Sequence, residues 1–204
     1  GLNNVQDIYA GLHSTFFLMS DGSVKAVGRN QYGELGDRTK IEKHTPVDIG
    51  LQNVKQISSG LGYTMFLLED GNVKAVGYND YGQIGNGDTN NLDSPVDIGL
   101  QNVKQISTGK RHTIFLFEDG TVKTAGYNYF GQLGTTKNLN SFNPNPEPIN
   151  IGLSQVKQVE AGSNSSFFLL ESGDVLATGR NNSGQIGDGT TINKSTPVNI
   201  GLDL

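Results

Sequence analysis

The chain has 204 residues, of which 34% are hydrophobic and 28 are glycine, and its formal net charge is -5. No stretch approaches the roughly 20 apolar residues of a membrane-spanning helix, and the lack of cysteine excludes disulfides and thiolate metal ligands. An acidic chain without a basic cluster is also repelled by phosphate backbones and anionic lipids, so we predict neither nucleic acid as a partner nor membrane insertion.

The first fifty residues predict four short strands joined by turns. Val5–Ala10 is a short run of β-forming residues, and Thr15–Met19 is almost continuously apolar, as expected of a strand buried on both faces. Asp21-Gly22 predicts a hairpin turn with a glycine at positive φ. Val24–Val27 then alternates between apolar and polar residues, and Pro46–Ile49 gives a fourth strand with its proline at the entrance, where no donor is lost.

The same succession of segments occurs four times along the chain. A Gly-Leu-x-x-Val motif opens each copy, at Gly1, Gly50, Gly99 and Gly152, and Gly201-Leu202 begins another. The predicted repeats are 1–49, 50–98, 99–151 and 152–200, within one domain, 1–204. No window has helical periodicity. Four strands per repeat, each sheet needing a neighbour on its faces, predict an all-β fold: a β-propeller of four tandem four-stranded blades.

The segment Ala10–Gly36, AGLHSTFFLMSDGSVKAVGRNQYGELG, resembles the repeat of the regulator of chromosome condensation family. The most specific shared element, Asn-x-x-Gly-Gln-Leu-Gly, recurs with small changes from Asn30, Asn79, Asn128 and Asn181. The tryptophan often found before this element is absent, and the repeat histidine is kept only as His112 and, displaced, as His13. The chain is also similar to the propeller-type β-lactamase inhibitors.

The resemblance implies a ring, which the family closes with seven blades. Four blades leave three readings open: a partial arc that is a piece of a longer protein, a ring completed by further blades or a second chain, or a smaller closed ring. The missing initial methionine favours a piece of a longer protein. We therefore expect uncovered faces at the end blades and self-association through them.

The residues that repeat in every copy are interpreted as structural. An asparagine at the same place in all four copies is expected to cap a tight turn. The aspartates of the Asp-Gly turns lie one repeat apart, too far to act as an acid and base pair. The three histidines have no partner at metal-ligand or triad spacing. We predict no catalytic residue, no metal site, no cofactor and no enzymatic activity.

The residues that differ between copies are the candidates for recognition. One column alternates between arginine and tyrosine, residue types that are enriched at protein interfaces: Arg29, Tyr78, Tyr127 and Arg180. Tyr129 follows in the third copy, which also has an insertion within Thr135–Glu147 carrying Phe142. We predict that these six residues bind a protein partner, and that Arg29, Tyr78, Tyr127 and Tyr129 project from one face. Tyr32, Tyr81 and Phe130 either share in this or pack between blades.

The predicted function is a non-enzymatic protein-interaction module. The Asn-, Lys- and Ile-rich composition favours a bacterial protein that is secreted or on the cell surface, and the β-lactamase-inhibitor resemblance suggests an inhibitor-like role. Two alternatives remain: guanine-nucleotide exchange on a small GTPase, which the family resemblance implies, and a purely structural repeat module.

Overall fold

A computed structural model describes residues 2–201, so the repeat markers at Gly1 and Leu202 lie outside the described residues. Within that part of the chain there are sixteen strands and no helix. They form four antiparallel four-stranded sheets, each made of four consecutive strands. The prediction of an all-β chain with one four-stranded sheet per repeat is confirmed, and no helix capable of crossing a bilayer occurs between residues 2 and 201.

The described residues belong to two compact units. Within the described chain, the first comprises residues 2–80 and Asn90–Val103. It holds the sheets of the first and second repeats: β1 (Val5–Ala10), β2 (Ser14–Met19), β3 (Val24–Gly28), β4 (Lys43–Asp48), β5 (Val54–Ser59), β6 (Tyr63–Leu68), β7 (Val73–Gly77) and β8 (Leu92–Asp97). Apolar side chains of both sheets form one core, in which the Phe16 ring meets the edge of Phe66 at a centroid distance of 5.9 Å.

The second unit comprises Tyr81–Thr89 and, within the described chain, residues 104–201. It holds most of β9 (Val103–Thr108) and the following strands: β10 (His112–Phe117), β11 (Val122–Gly126), β12 (Ile149–Asn150), β13 (Val156–Ala161), β14 (Ser165–Leu170), β15 (Val175–Gly179) and β16 (Lys194–Asn199). Its core places Ile114 and Leu116 against Val159 and Phe168. The insertion of the third repeat shortens β12 to two residues, whereas β4 and β16 have six.

The Asp-Gly turns have the predicted conformation. Gly22, Gly71 and Gly120 have φ values of 77°, 79° and 77°, the region that glycine enters without steric cost. Asp21 accepts hydrogen bonds from both the backbone N–H and the hydroxyl of Ser23, which hold the pKa of the Asp21 carboxyl below its usual value. The aspartates are therefore turn residues, as predicted.

Candidate partner-binding surface

Each arginine–tyrosine column residue follows a glycine that ends the third strand of its sheet. In the third repeat this glycine is Gly126, with φ 111°. A Cβ atom there would lie 2.5 Å from the Arg111 carbonyl oxygen, so no larger residue fits. The close approach also lets the Tyr127 N–H donate to that carbonyl at 2.9 Å. The backbone of the column residue is thereby fixed to the neighbouring strand.

The repeated asparagine anchors the loop that follows. Asn128 is fully buried; its Oδ1 accepts from the Leu133 N–H at 2.9 Å, and its Nδ2 donates to the carbonyls of Thr135 and Lys137 at 2.7 Å each. Asn30 and Asn181 make the corresponding bonds in the first and fourth repeats. The structural interpretation of this asparagine is confirmed.

The glutamine of the Gly-Gln-Leu-Gly element fixes the second variable pair. The Gln132 Oε1 accepts from the Phe130 N–H at 3.0 Å, and Gln83 does the same for Tyr81 at 3.1 Å. In the first repeat Glu34 takes this role for Tyr32 at 2.8 Å. Identical backbone supports therefore hold side chains that differ from repeat to repeat.

In the first unit the columns form a small aromatic cluster. The rings of Tyr32 and Tyr78 lie 4.8 Å apart, so the second column of one repeat contacts the first column of the next. The Arg29 guanidinium lies 5.4 Å from the centre of the Tyr32 ring, within cation–π range. Both Tyr32 and Tyr78 are half-buried, and each keeps part of its surface accessible.

The corresponding cluster in the second unit is larger. Tyr81 packs edge-on against Tyr127 at 5.0 Å, and the Arg111 guanidinium lies 4.8 Å from the Tyr81 ring centre. Arg111 also donates to the Tyr81 hydroxyl at 3.3 Å. At the next position along the array, Arg180 lies 5.3 Å from the Phe130 ring centre. We call Tyr81, Arg111, Tyr127, Tyr129, Phe130, Phe142 and Arg180 the aromatic surface.

The inserted loop adds Phe142 to this surface. The Phe142 ring lies 5.3 Å from Tyr129 and 6.1 Å from Tyr127. The loop has a firm base, because buried Asn145 donates to the Gly126 carbonyl at 2.8 Å and accepts an Asn138 amide bond at 3.0 Å. Phe142 is nevertheless 68% exposed. A large apolar ring is thus held in solvent by an ordered loop.

One residue of the predicted set is placed differently from the expectation. Tyr127 is only 6% exposed, so the prediction that its ring projects is wrong. Its ring packs against Tyr81, Tyr129 and Phe142. Burial raises the pKa of Tyr127, and the nearby Tyr81 hydroxyl adds a smaller effect in the same direction. Tyr127 supports the surface rather than presenting itself.

The remaining predicted residues divide between the units. Arg29 and Tyr78 lie in the first unit, whereas Tyr129, Phe142 and Arg180 lie in the second. Arg111 belongs to a third variable column of the sequence but is not among the six residues predicted to bind a partner. The sequence signal that points to Arg111 is variation between repeats. The equivalent residues are His13, Gly62 and Asn164, and they differ as strongly as those of the selected columns. A Cβ at Gly62 would lie 2.8 Å from the Tyr32 ring, which explains why an arginine in that conformation does not recur there.

The buried histidine is a packing residue. His112 is fully buried, its Nε2 lies 3.0 Å from the Ser166 hydroxyl, and burial lowers its pKa to about 4. Residues 2–201 contain no group of three or more His, Asp or Glu side chains arranged to hold a metal ion.

The sheets, the repeat-to-repeat packing and the motifs define a protein of the β-propeller repeat class. The regulator of chromosome condensation (RCC1) repeat matches residues 5–34, 54–83, 103–132 and 156–185, and a second profile of the same repeat matches 21–67, 70–116 and 119–169. The chain belongs to the RCC1 repeat family, which confirms the resemblance that the sequence suggested.

Solved structures share the fold at low sequence identity. A crystal structure of Kap60 bound to yeast RCC1 (Prp20) matches with a TM-score of 0.84 and 24% identity, over 96% of this chain and 48% of that chain. Prp20p from Saccharomyces cerevisiae, described with its binding to Gsp1p and histones, gives 0.84 and 24%, over 96% and 50%. Human WBSCR16 gives 0.86 and 22%, over 98% and 53%. The present chain spans about half of each.

Proposed function

We propose that this chain is a non-enzymatic interaction module that binds a protein through its aromatic surface. The observation that carries the proposal is Phe142, an aromatic ring 68% exposed on a hydrogen-bonded loop. Exposing such a ring gains nothing for folding, because burial of apolar area is what stabilises the folded chain. A partner that covers the ring would recover this energy.

The composition of the surface supports a protein as the partner. Tyrosine, phenylalanine and arginine are the residue types enriched at interface centres, and here they stand on rigid backbone supports. Arg111 and Arg180 already lie on aromatic rings. Their side chains are thereby ordered before binding, which reduces the entropy lost on association.

The partner class follows from the relatives and the composition. RCC1 relatives were solved or described with Kap60, Gsp1p and histones, and the inhibitor-like interpretation adds a β-lactamase in a bacterial, secreted setting. The net charge of -5 favours basic histones over nucleic acid as a partner, because opposite charges attract. Guanine-nucleotide exchange on a small GTPase is the alternative function.

The test is to measure binding to purified Kap60, Gsp1p and a β-lactamase by calorimetry, with wild type and Phe142→Ala. We expect the variant to weaken one of these interactions by about 2 kcal/mol, the range of an interface hot spot. Ile192→Ala is the matched control, because Ile192 is also 68% exposed but lies outside the aromatic surface.

Three outcomes separate the candidate functions. Loss of binding only in Phe142→Ala supports the proposal. Faster release of bound nucleotide from Gsp1p in the presence of the chain supports the exchange alternative. Equal binding by both variants and wild type to every probe means that the aromatic surface does not act in recognition, as a purely structural repeat module predicts.

A further inference from the structure

The two terminal sheets expose positions that are buried in the other repeats. In the first repeat Ile8 is 60% exposed, whereas its equivalents Ile57, Ile106 and Val159 are 0–2% exposed. Phe17 is likewise half-buried, although the phenylalanines at its position in the other three repeats are fully buried: Phe66, Phe115 and Phe168. We call the surface formed by Val5, Ile8, Thr15, Phe17 and Pro46 the leading face.

The fourth repeat shows the opposite pattern. Phe167 and Leu169 are half-buried, whereas the residues at their positions in the first three repeats are 0–2% exposed. The equivalents of Phe167 are Phe16, Met65 and Ile114, and those of Leu169 are Leu18, Leu67 and Leu116. Gln185 is exposed, and Glu34, Gln83 and Gln132 are buried. We call the surface formed by Gln158, Phe167, Leu169, Gly173, Gln185 and Gly187 the trailing face.

Glycine contacts show that another repeat fits the trailing face. A Cβ atom added at the last glycine of the Gly-Gln-Leu-Gly element would lie 3.1–3.4 Å from a proline ring in three repeats: Gly36 on Pro95, Gly85 on Pro148 and Gly134 on Pro197. A Cβ atom added at the fourth such glycine, Gly187, would meet nothing within 4 Å in the described chain. Among the four equivalent prolines, the one that contacts no such glycine is Pro46, which is exposed on the leading face.

Hydrogen bonds repeat the same pattern. The Thr64 hydroxyl donates to the Glu34 carbonyl at 3.0 Å, and Ser166 donates to the Gln132 carbonyl at 2.6 Å. Their counterparts at the ends are Thr15 on the leading face and the Gln185 carbonyl on the trailing face. The turn glycine adds a second pair, since Val156 N–H donates to the Gly120 carbonyl at 3.1 Å.

We propose that the leading face of one copy of this chain binds the trailing face of a second copy. The repeat-to-repeat packing within each unit already uses these positions, so the second copy continues an interface that the chain makes with itself. In the second unit Val159 packs on Ile114 and Leu116. Between copies, Ile8 takes the place of Val159, and Phe167 and Leu169 take the places of the other two. The interface is therefore heterologous, with different surfaces on the two copies.

The test is a complementation experiment on the 204-residue chain. Ile8→Asp places a charge on the leading face, and Phe167→Asp places one on the trailing face. We expect wild type to sediment above its 21.8 kDa monomer mass and each variant alone to be monomeric. An equimolar mixture of the variants should form a 1:1 dimer, because each supplies the face that the other lacks.

Cysteine cross-linking provides a second measurement that introduces no charge into the interface. The chain has no cysteine, and in the second unit Gln105, the equivalent of Gln158, donates to the Val159 carbonyl at 2.9 Å. A mixture of Ile8→Cys and Gln158→Cys should therefore cross-link at least tenfold more than either variant alone. At about 100 µM protein, a dimer with a Kd near 10 µM should be well populated. The proposal is overturned if wild type is monomeric at that concentration, or if all three samples cross-link equally.

Discussion

The loop that follows the repeated asparagine starts in the same way in the first, third and fourth repeats, but it ends differently in the third. In all three, a buried asparagine binds the backbone of the loop. In the first and fourth repeats an aspartate–lysine pair then closes the loop, with Lys43 at 2.9 Å from Asp37 and Lys194 at 2.7 Å from Asp188. The lysine also opens the fourth strand, opposite the glycine that ends the third.

The third repeat replaces the ion pair with an inserted loop. Asn145 occupies the place of the lysine opposite Gly126, donating to its carbonyl at 2.8 Å and accepting its N–H at 2.9 Å. The hydrogen bonds to the strand-end glycine are thus kept, while the residues before Asn145 lengthen and carry Phe142. The asparagine and the strand-end glycine fix the two ends of the loop, so the residues between Asn128 and Asn145 are free to acquire a binding residue.

The strongest test of this shared support is Asn128→Ala. The substitution leaves the Leu133 N–H and the carbonyls of Thr135 and Lys137 without their buried partner. Since each unmet buried group costs about 1–3 kcal/mol, we expect the free energy of unfolding to fall by about 4 kcal/mol. Urea denaturation followed by circular dichroism measures the change.

Asn143→Ala is the control for that experiment, because Asn143 is exposed on the same inserted loop. We expect it to change the unfolding free energy by less than about 0.5 kcal/mol. Equal effects of the two substitutions would show that the loop, rather than the asparagine support, determines stability in this repeat.

A second difference between the repeats is a buried ionisable group. His112 stands where the first and fourth repeats have serine, and burial lowers its pKa to about 4 from an ordinary value near 6.5. Between these values the unfolded chain binds the proton more strongly, so stability is lost as the pH falls from about 6.5 to about 4. The loss amounts to about 3 kcal/mol at the lower limit.

Replacing the histidine with the serine of the first and fourth repeats should remove this dependence. We expect His112→Ser to flatten the pH profile of the unfolding free energy in that range, whatever its effect at neutral pH. Asn143→Ala, which replaces an exposed side chain that does not titrate, should leave the slope unchanged. An unchanged slope in His112→Ser would mean that another group titrates in this window.

The fold could be predicted from the sequence because its signals are repeated. The strands, the Asp-Gly turns and the structural asparagines each appear in several copies, so chance matches average out and the sheet of each repeat follows. The binding residues could be identified only in part. A tyrosine at a variable position shows that the fold does not require one residue type there, but not which neighbouring residues cover the ring. Tyr127 is covered by Tyr81 of the preceding repeat and by the insertion.

The smallest expected effect concerns the ion pair that the third repeat lacks. The Lys194 ammonium holds the pKa of the Asp188 carboxyl well below its usual value, and bonds from Thr190 and Asn181 act in the same direction. A carboxylate with a lowered pKa in the folded state stabilises it above the unfolded-state value near 4, and this contribution is lost as the pH falls below that value. Asp188→Asn should therefore lower stability more at pH 7 than at pH 2, and by less than Asn128→Ala, because solvent and salt screen the pair. Repeating the urea titrations in 0.05 M and 1 M NaCl separates the contributions: the part due to Lys194 should shrink in high salt, whereas the loss from Asn128→Ala should not. If Asp188→Asn proves insensitive to salt, the aspartate acts through its hydrogen bonds to Thr190, and the loops of the first and fourth repeats are closed in the same way as that of the third, by hydrogen bonds alone.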